Sequence, residues 1–174
     1  NDTQYGEAGH DYIKGERGDD SQFGNDGNDS IYGHQGKDTQ RGGNGDDLQY
    51  GGSDGDSMFG EDGNDSLYGG KYDDPGHGDP EPDGKDRICG GAGNDYIDGM
   101  DDNDTLDGSY NNDTILGSGG DDEIYGGSHE DSSLGGVGND RMIGGAGNDH
   151  YVVNATGDVV VETANAGRDV VETS

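Results

Sequence analysis

Residues 90–98 read Gly-Gly-Ala-Gly-Asn-Asp-Tyr-Ile-Asp, and then the phrase starts again. Residues 24–32, 42–50, 60–68, 135–143 and 144–152 are the same nine-residue phrase with small edits. This period constrains the fold more than any other feature. A nine-residue unit cannot bury a core alone, so successive units must stack. Counting places one to nine, full phrases begin at Gly6, Gly15, Gly24, Gly33, Gly42, Gly51 and Gly60, and again at Gly90, Gly99, Gly108, Gly117, Gly126, Gly135 and Gly144. The phrase at Gly69 is broken by an acidic, Pro-rich insertion near 71–82, read as a surface loop, and recovers at Asp83-Gly84-Lys85-Asp86. Residues 1–5 are the last five places of one more copy, which makes sixteen.

Place six is aspartate in every copy: Asp2, Asp11, Asp20, Asp29, Asp38, Asp47, Asp56, Asp65, Asp86, Asp95, Asp104, Asp113, Asp122, Asp131, Asp140 and Asp149. Its neighbours drift, with Asp54, Asp102, Asn111 and His129 at place four. An acid retained amid variation within one chain marks a chemical requirement. Glycines at places one, two and four permit positive φ and close backbone approach, so places one to six are expected to form a tight loop. Places seven to nine are too few for a helix and suit a short strand. Place eight is usually aliphatic (Ile13, Ile31, Leu67, Ile88, Ile97, Leu106, Ile115, Ile124) and is the expected core face. The predicted fold is all-β: a flattened right-handed parallel β-roll, or β-solenoid, with two short strands per 18-residue coil. Aspartates 18 apart then stack at about one strand spacing, ~4.8 Å. Like columns of carboxylates could not stand so close without a cation between successive loops.

Composition supplies the same demand from another direction. The formal charge is −31, only 24 % of residues are hydrophobic, and 39 are glycine. So little apolar area cannot offset the ordering entropy of so many glycines. Taken alone, this is the composition of a disordered polyanion. Folding therefore calls for something outside the chain that neutralises negative charge. With only 9 Lys plus Arg, nucleic acid and anionic lipid are poor partners. No apolar run is long enough to span a membrane as a helix. A single cysteine, Cys89 at an outward place nine, excludes an internal disulfide framework.

The phrase resembles that of the RTX, or haemolysin-type, calcium-binding repeat family, Gly-Gly-x-Gly-x-Asp-x-aliphatic-x, over residues 1–152. The resemblance implies a parallel β-roll with Ca2+ between the loops of successive coils, held by place-six carboxylates and loop carbonyls. Hard oxygen donors suit Ca2+ better than Mg2+ or Zn2+, and sixteen repeats leave gaps for up to about fourteen ions. Residues 153–174 leave the phrase; Gly157-Asp158-Val159-Val160-Val161-Glu162 and Gly167-Arg168-Asp169-Val170-Val171-Glu172 form a looser, more apolar pair, read as a C-terminal capping segment. The chain begins mid-phrase, so it is read as a segment of a longer protein.

These features point to calcium binding, with Ca2+-induced folding of a secreted bacterial module that stabilises or assists export of a larger exoprotein. The resemblance implies type I secretion and an extracellular location. Two other readings stand beside it: an adhesion, matrix or self-assembling protein, and a non-catalytic segment of a secreted enzyme such as a protease, lipase or polysaccharide-modifying protein. No catalysis is expected from these residues. Gly51-Gly52-Ser53-Asp54-Gly55 matches the serine-hydrolase Gly-x-Ser-x-Gly but lies inside a repeat without a strand–elbow–helix context. His10, His34, His77, His129 and His150 show no zinc spacing and are expected in loops.

Two departures leave alternatives open. Gln4, Gln22, Gln40 and Gln49 occupy the core place, where they either weaken their coils or form a hydrogen-bonded ladder. Place nine carries Tyr5, Phe23 and Phe59 on one sheet and Tyr32, Tyr50 and Tyr68 on the other. The three tyrosines form an outward stripe that either stacks to stabilise the coils or meets a glycan, a mineral or a second copy.

Overall fold

The computed structural model describes residues 1–71, 83–162 and 166–173. The expected surface loop of the insertion, with His77, lies outside the described residues save at its edge. Among the described residues there are eighteen strands and no helix, from Thr3–Ala8 to Val170–Thr173. Strands taken alternately along the chain build two nine-stranded sheets, and every neighbouring pair is parallel. The result is a parallel β-solenoid of about nine coils, two strands per turn of about 18 residues.

The strands are longer than the sequence suggests. Most run six residues, over places seven to nine and on through one to three, as in Ser30–Gln35. Pairing skips place one: Ser30, Ile31 and Tyr32 pair with Leu48, Gln49 and Tyr50, and then His34 and Gln35 pair with Gly52 and Ser53. The chain bends at the skipped glycine and resumes the ladder, so the turn proper is confined to places four to six. His34 and His150 accordingly lie in strands, while His10 and His129 lie in turns.

Place eight is the core. Met58, Leu67, Ile88, Ile97, Leu106, Ile115, Ile124, Met142 and Tyr151 form one wholly buried cluster between the sheets. Successive core residues lie one above another, so each coil buries its aliphatic only if the next coil forms. Toward the N-terminus the core turns polar, and there the ladder is present. Gln22 Nε2 donates to Gln4 Oε1 at 3.2 Å, and Gln40 Nε2 to Gln22 Oε1 at 3.1 Å. The same amide groups also donate across the core to the opposite sheet, to the carbonyls of Lys14, Tyr32 and Tyr50, and Gln49 reaches Phe59 in the same way. The Nε2 donors satisfied in this way avoid the ~1–3 kcal/mol cost of an unpaired buried group, whereas Oε1 of Gln40 and of Gln49 is buried with no hydrogen-bond partner.

The tyrosine stripe is continuous over five coils. Tyr32 and Tyr50 stack at 5.5 Å and 6°, and Tyr50 and Tyr68 at 4.7 Å and 9°. Tyr12 and Tyr96 close the two ends at tilts of 45°. Tyr32 is 7 % exposed, so the stripe is less open than expected. The rings spend their faces on one another along the solenoid axis. On the other sheet Tyr5 stacks on Phe23 at 5.0 Å, and Arg41 covers Phe59 at 4.6 Å. Cys89 is a half-buried free thiol with Sγ 3.4 Å from Ser109 Oγ, and burial pushes its pKa up.

Candidate metal centre

The site begins with the backbone of the turn. In the turn around Asp29, the amide of Gly27 donates to Asn44 O, that of Asn28 to His10 Nδ1, that of Asp29 to Asp47 Oδ1 and that of Ser30 to Asp11 O, all between 2.8 and 2.9 Å. Four consecutive donors are thus satisfied by the coils above and below. Place five uses a side chain of the preceding coil wherever an Asn or Asp stands there: Asn94 N–H donates to Asn64 Oδ1 and Asn112 N–H to Asn94 Oδ1. Place six uses the carboxylate of the following coil.

That second ladder organises the sixteen aspartates into two columns. Asp20 N–H donates to Asp38 Oδ1, Asp38 to Asp56, Asp56 to Asp86, and so on up one edge. Asp47 to Asp65, Asp65 to Asp95 and Asp95 to Asp113 mark the other. The extra residues of the insertion are passed over without a break, since Asp56 and Asp86 are partners 30 apart in sequence at 2.7 Å. From Asp20 to Asp149 the column aspartates are at most 3 % exposed; Asp11 is partly buried and Asp2 is exposed at the open end.

Asp2 and Asp11, which begin the two columns, donate their amides to the next coil, and from Asp20 to Asp149 each carboxylate uses one oxygen in this way. The other is left over: Oδ2 of Asp11, Asp20, Asp29, Asp38, Asp47, Asp56, Asp65, Asp86, Asp95, Asp104, Asp113, Asp122, Asp131, Asp140 and Asp149 is buried with no hydrogen-bond partner. Place-one glycine explains where these oxygens go. It does not adopt positive φ; positive φ falls at places two and four, including non-glycines such as Asn25 (77°), His34 (76°) and Asp54 (71°). A Cβ on Gly42 would instead lie 2.1 Å from Asp47 Oδ2 and 2.8 Å from the carbonyl oxygen of Gly60. Glycine is needed there because a carboxylate oxygen and a carbonyl of the next coil both close on its Cα.

Buried acceptors without donors, repeated coil after coil, require a proton or a cation. The demand for protons is visible in the pKa values. Burial, reinforced by the neighbouring carboxylates, pushes Asp56 and Asp104 up to about 9 and Asp113 to about 8. Burial likewise raises Asp38, Asp65 and Asp86 to about 7 and Asp47 to about 6. A cation fits the same atoms. The donors are all oxygen, anionic carboxylates beside neutral carbonyls, and are repeated without imidazole or thiolate; that set suits a hard ion that accepts irregular coordination, which is calcium. The Oδ2 atoms of the place-six aspartates and the adjoining turn carbonyls are the groups that would hold it, and the ion would supply the charge neutralisation that the columns lack.

Reading by phrase misses two members of the columns. Asp140 N–H donates to Asp158 Oδ1 and Asp149 N–H to Asp169 Oδ1, both at 3.1 Å. Strands Val159–Val161 and Val170–Thr173 extend one sheet each. Asp158 is findable in the sequence, since it lies nine residues after Asp149; Asp169 follows after eleven, so the period slips there. Ser53 of the Gly-x-Ser-x-Gly match is wholly buried in the strand Leu48–Ser53.

A parallel solenoid with aspartate columns along both turn edges defines a class of metal-binding repeat protein. The sequence pattern of the RTX calcium-binding nonapeptide repeat (4 copies) matches residues 1–21, 23–49, 50–74, 83–109, 107–142 and 125–160. The chain belongs to this family of calcium-binding repeats. A search of curated proteins gave no match.

Proposed function

We propose that calcium binding is the folding switch of this chain, and that it serves as the export and stabilisation module of a secreted bacterial exoprotein. The observation that carries this reading is the unbroken series of buried, unpartnered Asp Oδ2 atoms from Asp11 to Asp149. At the low free Ca2+ inside a cell those carboxylates repel and the chain stays extended, the form a narrow type I channel accepts. At millimolar Ca2+ outside, ion binding is folding free energy and return through the channel is blocked. The number of ions follows from how many gaps between turns close, up to about fourteen by the repeat count. Chemistry, where the whole protein has any, is assigned to residues beyond this module.

Adhesion to a glycan or mineral, or self-association, through Tyr32, Tyr50 and Tyr68 is the weaker reading. Ring faces already stacked on one another are closed to a flat partner. The export reading is tested by limited proteolysis at buffered free Ca2+. Rapid cleavage throughout the chain at sub-micromolar Ca2+ and resistance at millimolar Ca2+ are expected. Resistance at both would overturn it.

A further inference from the structure

At the C-terminal end, carboxylate oxygens of Asp149, Glu162 and Asp169 lie within 4.8 Å of one another. This group differs from the repeat turns, where one side-chain carboxylate per turn faces backbone oxygens. Here three side chains converge, and Glu162 and Asp169 lie beyond the stretches that match the family pattern. Asp149 is 1 % exposed, and its Oδ2 has no hydrogen-bond partner. Asp169 Oδ1 accepts from the Asp149 amide at 3.1 Å, and Glu162 Oε1 accepts from the Tyr151 hydroxyl. Tyr151 is wholly buried, and its hydroxyl reaches the same glycine as Asp149: a Cβ on Gly144 would meet Tyr151 Oη at 2.0 Å and Asp149 Oδ2 at 2.2 Å. The charges that bear most on Asp149 are Glu162, Asp169 and Glu130, all negative.

We propose that Asp149, Glu162 and Asp169 form a terminal cation site that locks the tail to the last regular coil. It rests on the reading of the roll as a calcium-binding fold and shares Asp149 and Asp169 with the columns, but Glu162 belongs to this site alone. Three carboxylates with a phenol oxygen beside them are hard donors in an irregular arrangement, which a calcium-sized divalent ion accepts and Mg2+, with its strict octahedron, does not. Glu162 is the residue that makes the site: it alone of the three caps no backbone amide of the columns. Its bond from Tyr151 holds it over the buried Asp149 oxygen, so an ion there joins residues 149, 162 and 169 across the point where the nine-residue period fails.

The test uses the full 174-residue chain and Ca2+ alone. Native mass spectrometry counts bound ions in the wild type and in Glu162→Gln. The variant is expected to hold one ion fewer, and hydrogen exchange at residues 170–173 to quicken by about tenfold while residues 105–125 stay protected. Glu162→Asp, which keeps the charge, is expected to restore the ion. Asp169→Asn keeps an Oδ1 acceptor for the Asp149 amide and reads the same loss in a second background. An unchanged ion count in Glu162→Gln overturns this site and leaves the repeat sites standing. A wild type that binds no Ca2+ overturns both.

Discussion

In chelator, acidification from about pH 7.5 to about pH 4 is expected to fold the chain without any metal. The sign follows from the columns. The column aspartates from Asp38 to Asp131 have folded pKa values of about 6 to 9, against 3.8 as the ordinary value. Between pH 3.8 and those values the folded chain binds more protons than the unfolded chain, so stability falls as pH rises through that window. The stabilisation is complete below the unfolded pKa and is lost by the time pH passes the folded values. Raising the pKa of one carboxyl by 1 on folding corresponds to about 1.4 kcal/mol. That amount at each column aspartate from Asp38 to Asp131 is already comparable to the ~5–15 kcal/mol of a whole domain. With Ca2+ present the dependence reverses, because protons compete with the ion for Oδ2, and calcium affinity falls as pH drops below about 6. Far-UV circular dichroism in chelator from about pH 8 to about pH 3.5, with sedimentation to exclude aggregates, reads the first effect. A chain that stays coil at about pH 4 would contradict the assignment of the columns as the obstacle to folding.

The second large effect is steric. Gly93 sits in a mid-roll turn at φ +147°, and a Cβ there would lie 1.7 Å from the carbonyl oxygen of Gly63 in the turn below. Gly93→Ala combines a backbone conformation that L-residues avoid with a clash against backbone that cannot move without opening the ladder. A loss of about 3 kcal/mol or more is expected. In a solenoid each coil is held only by its neighbours, so the damage separates the halves of the roll rather than spreading evenly. Gly9→Ala is the control: φ is +123°, yet nothing lies within 4 Å of the added carbon, so only backbone strain of about 1–2 kcal/mol remains. Urea midpoints in millimolar Ca2+ separate the two. Equal losses would show that strain, and not the contact between turns, sets the need for glycine.

Much of this molecule is readable from its period. Alternation at places seven to nine puts Ile31, Leu67 and Ile115 in the core, and the 18-residue spacing stacks Gln4, Gln22 and Gln40 into the ladder observed. The aspartate columns follow from the same spacing. The orientation of each carboxylate does not. That one oxygen caps the amide of the preceding coil while the other turns in beside place-one glycine depends on turn geometry that no single phrase encodes. For the same reason the glycines divide by role: those at places two and four combine positive φ with, in most turns, a close contact, as at Gly43 and Gly93, while place one has the close contact alone. Strand length exceeds the expectation because pairing resumes after a skipped residue, an interruption that looks like a loop in sequence. Asp169 is hidden by a two-residue slip in the period, and only the hydrogen bond from Asp149 identifies it.

Under the proposed function, calcium supplies the folding energy that this composition lacks. That role is tested most directly by a Ca2+ titration at about pH 7.5 followed by far-UV circular dichroism, with Mg2+ as control. A cooperative coil-to-sheet transition with Ca2+, and none with Mg2+ at the same concentration, is the expected result. A full sheet spectrum in chelator at that pH would contradict it.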